Sequence, residues 1–171
     1  MPERILVIGA GGFIGHALVQ ELATAGHQVI AVGRTPIREL PPGTTSDTID
    51  LGQSAALGRL LERSDSVIYL AAASTPGSTA GRPLKEMELN LRPALTLLQA
   101  LQDFSNLPLL YVSSAGALYT GTNERQLGET DIPEPRSYHG AGKIAAEHFI
   151  GADYRDRDLP DAGTLDKNLR L

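Results

Sequence analysis

The sequence predicts an α/β domain: a doubly wound parallel sheet in three layers, with helices on both faces. Two observations carry the prediction. Residues 5–15, ILVIGAGGFIG, join four apolar residues to a run of glycines, the pattern of a buried strand that turns sharply into a helix. Further short apolar runs, HQVIAV at 27–32, SVIYLA at 66–71 and LLYV at 109–112, alternate with helix-periodic segments. That alternation builds parallel sheets through crossover helices.

Composition narrows what such a domain can do. At 171 residues, 42% of them hydrophobic, the chain fits one domain with a proper core. The formal charge of −5 is spread over a mixed surface without a basic block, so no nucleic acid and no anionic membrane is expected as a partner. The absence of cysteine excludes disulfides, thiolate catalysis and cysteine-based metal sites. No apolar stretch reaches the roughly 18–20 residues that span a bilayer, and the N-terminus already reads as the first strand. A cytoplasmic location is the expectation.

The glycines of the first turn stand at 9, 11, 12 and 15, and Gly9, Gly12 and Gly15 form G-x-x-G-x-x-G. Gly9 permits the tight turn, Gly12 lets the main chain approach a pyrophosphate, and Gly15 lets the helix close on the strand. The helix, expected over 13–24, opens at Phe13 and Ile14, whose end offers free N–H groups and a positive dipole to phosphates. This reads as a dinucleotide site; the alternative is a strand–helix corner kept for packing.

Gly26 reads as the helix cap and 27–32 as the second strand, completing a βαβ unit. An NAD site usually places Asp or Glu after that strand, whereas this chain has Gly33-Arg34 with Arg38 near. A guanidinium grips the additional phosphate of NADP, which a carboxylate would repel. NADP is therefore the expected cofactor, with NAD, or a merely solvated arginine, as alternatives. Residues 35–46 read as a loop and 47–49 as a short edge strand. Asp50 and Leu51 then stand at the strand end where ligands lie, Asp50 capping the next helix or contacting the adenine side of the cofactor.

A helix is expected over 54–63 and a strong strand over 66–71. It runs into Ala71, Ala72 and Ala73, small residues that let a flat cofactor lie close to the backbone. Residues 76–83 read as a flexible loop without assignable chemistry. A helix over 84–101 carries Asn90 and contains Pro93, which demands a kink or a separate first turn. Asn90 either contacts the site or only bonds neighbouring backbone. The strand at 109–112 ends in Ser113-Ser114, hydroxyls facing the same crevice, without a G-x-S-x-G elbow. Last come Tyr138, His139 and Lys143, opening a helix over 141–150. A lysine there lowers a neighbouring phenol's pKa and holds a nicotinamide ribose. His16, His27, His139 and His148 show no metal-ligand spacing, so no metal is expected.

Taken together, GAGGFIG, Asp50-Leu51, AAAS, Asn90, SSAGALY and GAGKIAAE resemble the extended short-chain dehydrogenase/reductases over about residues 4–150. Within them the chain is most similar to the NAD-dependent epimerase/dehydratase family. The resemblance implies a Rossmann-type fold and a nucleotide-diphosphate sugar as substrate. It implies an oxidoreductase or isomerase reaction, with transient hydride transfer at a sugar hydroxyl. Ser114, with Ser113 as the alternative, would assist proton transfer; a tyrosine would be the acid or base; Lys143 would orient the ribose. It also implies a homodimer through the helices at 84–101 and 141–150.

Two departures qualify this. The family's Y-x-x-x-K would put tyrosine at 139, where His139 stands; Tyr138 lies five residues before Lys143. On a helix one residue is a rotation of roughly 100°. Either the helix begins late enough for Tyr138 to reach the crevice, or His139 takes the catalytic place, or normal activity is lost. Second, the family's substrate domain has no counterpart here, and the chain reads as truncated after the lysine helix. The expected division is a dinucleotide-binding domain over 1–150 and a polar tail over 151–171, without a buried strand and with one short helix at most. The functional readings are therefore a nucleotide-sugar enzyme, a catalytically inactive dinucleotide-binding domain acting through association, or a structural domain with an empty crevice.

Overall fold

A computed structural model of the chain describes residues 1–119, 128, 130–156 and 169–170. The first apolar run is strand β1 (Arg4–Ile8), one residue longer at its start than the run itself, followed by helix α1 (Phe13–Thr24) over the expected residues. Gly26 ends α1 with φ +89°, its N–H donating to Ala23 O while that of His27 donates to Leu22 O. This paired closure satisfies two of the last helical carbonyls and needs a residue at ease with positive φ.

Strand β2 (Gln28–Gly33) starts one residue later than expected, and β3 (Thr44–Thr48) three residues earlier. The sequence TTSDT carries no apolar signal because β3 is an edge strand, bonded through its backbone to β2 alone. Helix α2 (Ser54–Leu61) stops two residues short of expectation, and its end unwinds into turns at Arg63 and Ser64. Strand β4 (Ser66–Tyr69) is followed by one further ladder bond, Leu70 N–H to Ile8 O, at 2.8 Å.

The expected long helix at 84–101 comes in three pieces: α3 (Pro83–Glu86), a π-helical turn (Met87–Leu91) and α4 (Arg92–Leu101). Pro93 has no N–H to return to Leu89 O, and the widened turn just before it absorbs the missing bond. Strand β5 (Leu109–Ser113) leads into a single turn, α5 (Ala115–Leu118), an element beyond those expected.

Helix α6 (Tyr138–Asp156) begins three residues before and ends six residues after the expected 141–150. Its C-terminal half is anchored by Tyr154, whose hydroxyl accepts from Leu109 N–H at 3.0 Å and donates to Leu109 O at 3.1 Å. Leu169–Arg170 form a two-residue strand, β6, parallel to β5, within the stretch expected to lack a buried strand. Pairing at an edge needs only backbone, so alternating charges around it left no pattern to read.

The sheet order is β3-β2-β1-β4-β5-β6, all parallel. This is the doubly wound order, reversing direction between β1 and β4. Alternate residues of each strand serve opposite layers. Leu6, Ile8, Val67 and Tyr69 pack with α2, α4 and α6, whereas Ile5, Val7 and Val29 pack under α1 against Val19. Both faces of the central strands are thus closed, and ligand access is left to the C-terminal strand ends.

Candidate functional site

The exits of β1 and β4 meet at the point where the sheet reverses. Gly9 takes φ +94° there, and a Cβ on it would lie 2.7 Å from Ala71 N. The N–H groups of Gly9 and Ala10 both donate to Val32 O, at 2.9 and 3.0 Å, tying the glycine turn to the end of β2. Gly12 is the N-cap of α1, where no side chain bonds the helix end and no acidic residue lies in the first turn. A Cβ on Gly15 would stand 2.2 Å from Gly9 O. The three glycines therefore hold the helix end against the strand end, and no side chain occupies the N–H groups of the first turn, where an anion is favoured. Phe13 and Ile14 project outward and close nothing. The cradle fits a pyrophosphate.

Arg34 and Arg38 are exposed just beyond β2, on the same rim. Asp50 does not cap α2, whose N-cap is Gln53. Its carboxylate accepts from Gly52 N–H at 2.9 Å and organises the preceding turn. Leu51 is buried in the α2–α4 core, so it supports the rim from below. Ala71 is half-buried and Ala72 exposed, while the N–H of Ala73 donates to Asn90 Oδ1 at 2.7 Å. Asn90 thus fixes the β4 exit through backbone, and its amide nitrogen also donates to the side chains of Ser74 and Glu86.

Ser114 is half-buried at the N-cap of α5, its carbonyl accepting from Ala117 and Leu118. Ser113 is 5% exposed, and its hydroxyl has no hydrogen-bond partner among the described residues. A buried hydroxyl without a partner is costly unless something completes it.

Helix α6 begins at Tyr138 itself, so His139 and Lys143 share its buried side one turn apart. Tyr138 is 42% exposed beside an open cleft of about 840 Å³ that Arg136, Tyr119 and Ala117 also line. Lys143 Nζ donates to Val112 O at 2.9 Å and lies 4.8 Å from the ring centroid of Tyr111, which stacks on Tyr69. Burial pushes the Lys143 pKa down to about 8 against the opposing pull of Glu147 and Glu86.

That depression has a stability consequence. Between about pH 8 and 10.5 the unfolded chain holds a proton on Lys143 that the folded chain has released, so stability rises with pH across the window. Burial also raises the phenol pKa values of Tyr69 and Tyr111, and above their ordinary value of 10.0 this acts in the opposite sense. Urea midpoints measured against pH are expected to climb and then turn over, and Lys143→Met to remove the climb.

Sequence reasoning named Asn90 and His139 but missed the cluster that joins them. Glu86, 3% exposed, accepts from Thr79 Oγ1 and Ser74 Oγ at 2.7 Å and from Asn90 Nδ2. Ser74 Oγ also lies 2.9 Å from His139 Nδ1, and Glu86 Oε1 lies 3.8 Å from the same nitrogen. Burial alone would raise the Glu86 pKa, but the bonds from Thr79, Ser74 and Asn90 and the nearby imidazole hold it below the usual value. The loop 76–83 was expected to carry no chemistry; its Thr79 belongs to this network because the loop folds back onto α3. The available signal was Glu86 and Asn90 at i and i+4, two polar groups on one helical face. Among the described residues no three His, Asp or Glu side chains are placed to hold a metal, and no helix is long and apolar enough to cross a membrane.

Comparison with known proteins places this geometry. The family model described as the NAD dependent epimerase/dehydratase family matches residues 5–158. GDP-6-deoxy-D-mannose reductase of Pseudomonas aeruginosa is 36% identical over 152 residues, covering 86% of this chain and 46% of that protein. UDP-glucose 4-epimerase of Streptomyces lividans is 26% identical over 156 residues, covering 88% of this chain and 47% of that protein. Among solved structures, the UDP-glucose 4-epimerase of Thermus thermophilus in complex with NAD superposes with a TM-score of 0.84 at 30% identity. The match covers 91% of this chain and 52% of that one. The chain thus spans about half the length of the relatives it matches. With a family model matched over residues 5–158 and the doubly wound sheet those residues form, the chain belongs to the NAD-dependent epimerase/dehydratase family.

Proposed function

We propose that this chain binds a nicotinamide dinucleotide, preferring NADP, and serves redox or isomerisation chemistry at a hydroxyl of a nucleotide-diphosphate sugar. The observation that carries the reading is the cradle of Gly9, Gly12 and Gly15 at the sheet reversal, with Lys143 across the same crevice. The cofactor supplies hydride acceptance and return when bound. The chain's own residues do the rest. The α1 N-terminus binds the pyrophosphate, Ala71, Ala72 and Ala73 wall the site, and Lys143 leaves Val112 O to hold the ribose. Ser113 or Ser114 offers a hydroxyl to the substrate oxygen, and His139 or Tyr138 exchanges its proton.

NADP is proposed over NAD because Arg34 is exposed and positively charged at the β2 exit, where a carboxylate would favour NAD. NAD remains the alternative, supported by the relative that carries it. Fluorescence titration of the 171-residue chain with NADPH and NADH tests both statements. Tighter binding of NADPH, with Arg34→Asp losing roughly 10- to 100-fold for NADPH alone, is the expected result. A preference for NADH overturns the Arg34 argument; binding of neither by folded protein overturns the function and favours a structural domain with an empty crevice.

A homodimer in the cytoplasm completes the proposal. Leu84, Met87 and Phe149 are large exposed apolar side chains on α3, the π-turn and α6, and pairing two copies would cover them. Phe149→Lys is expected to shift the mass measured by light scattering from dimer to monomer.

A further inference from the structure

The Glu86–Ser74–His139 cluster reads as a device that selects one nitrogen of a histidine. Its hydrogens can be assigned in order. The N–H of Ala73 is a donor, so the Asn90 atom facing it is the carbonyl oxygen and its amide nitrogen must be the group facing Ser74, at 2.7 Å. Ser74 Oγ therefore accepts from Asn90. The ionised carboxylate of Glu86 is acceptor only, and lies 2.7 Å from the same hydroxyl. Ser74 donates its one proton there. The remaining lone pair of Ser74 faces His139 Nδ1 at 2.9 Å, so Nδ1 carries the hydrogen. Nε2 then holds the lone pair, and it makes no hydrogen bond among the described residues.

We propose that Glu86 and Ser74 are positioning residues that lock His139 in its Nδ1–H tautomer, which leaves Nε2 to exchange a proton with the substrate hydroxyl. The inference rests on the reading above and deepens it. In the forward direction the substrate O–H bond breaks as the Nε2–H bond forms; the hydride lost from the carbinol C–H would be taken up by a nicotinamide bound as proposed above. The resulting imidazolium faces the Glu86 carboxylate, 3.8 Å from Nδ1, and the opposing ammonium of Lys143 one turn along α6. Helix α6 sets His139 beside Lys143, and the β4 exit supplies Ser74. The replacement of tyrosine by histidine thus comes with its own buried counter-charge, on α3.

Two-bond 1H–15N spectra of the full chain, with His139 assigned through His139→Gln, read the tautomer directly. The expected result is a protonated Nδ1 and an unprotonated Nε2 in the neutral ring. Ser74→Ala should lose that signature and Ser74→Thr keep it. Glu86→Gln should lower the His139 pKa further, by removing the charge that favours imidazolium. A wild-type Nε2–H tautomer, or an unchanged signature in folded Ser74→Ala, overturns the lock. If Ser74→Ala does not fold, the wild-type tautomer decides alone. In turnover of a nucleotide-diphosphate sugar, the acidic limb of kcat/KM should follow the His139 pKa and move with Glu86→Gln. A limb that stays, or no turnover by chain that binds cofactor, overturns the proton-transfer role. Failure to bind either dinucleotide overturns the functional reading instead, independently of the tautomer.

Discussion

Gly15→Ala is expected to cost about 3 kcal/mol of stability and to abolish dinucleotide binding. The added methyl would stand 2.2 Å from Gly9 O and 2.8 Å from Ala10 Cα, both backbone atoms with no side chain to swing aside. Relief requires α1 to lift from the β1 exit, which takes the helix end from the pyrophosphate and opens the packing of Val19 on Ile5 and Val7. Urea denaturation and NADPH titration on the same sample measure the two effects. A variant that is stable and binds normally would show that the close approach is not what shapes the cradle.

Gly140→Ala is expected to cost about 2–3 kcal/mol and to displace the proton-transfer side of the site as well. A Cβ there would lie 2.2 Å from Ala117 O and 2.9 Å from Pro135 Cβ. Helix α6 would have to back away from α5, carrying His139 and Lys143 with it. The His139 imidazole signals report that displacement separately from the loss of stability. Gly58→Ala supplies the contrast. This glycine lies within α2 with nothing within 4 Å of its added carbon, so the change should stabilise by about 0.5–1 kcal/mol. Three glycine-to-alanine changes thus separate into two that collide with backbone carbonyls and one that only stiffens a helix.

The parts of the molecule legible in the sequence are those fixed by local chemistry. The β1–α1 unit was readable to within one residue because four apolar side chains, a glycine turn and a helical period follow one another directly. The pairing of His139 with Lys143 was visible as a spacing of four. Strand β3 was misplaced because an edge strand needs no apolar side chains, and the break before Pro93 was foreseen without its π form. The network around Glu86 offered only the spacing of Glu86 and Asn90 on one helical face. Ser74 and His139 are 65 residues apart and meet only when α6 lies across the β4 exit. Leu51 and Asp50 show the opposite failing, since the motif was visible while the tasks of its members, core filling and turn closure, were decided by their surroundings.

The sheet order has a consequence for how the protein is made. The first of these six strands to be synthesised, β1, ends at the centre, between β2 and β4, with Ile5 opposite Ser66. A nascent chain that has formed β1, α1 and β2 therefore carries an unpaired inner edge, apolar on both faces, until translation has passed Tyr69. Such an edge invites a strand from another chain. The interval between the second strand and the fourth is the stage at which a ribosome-bound chaperone would matter most, and chains stalled within 34–65 are expected to aggregate through that open edge, which chains with β4 in place no longer present.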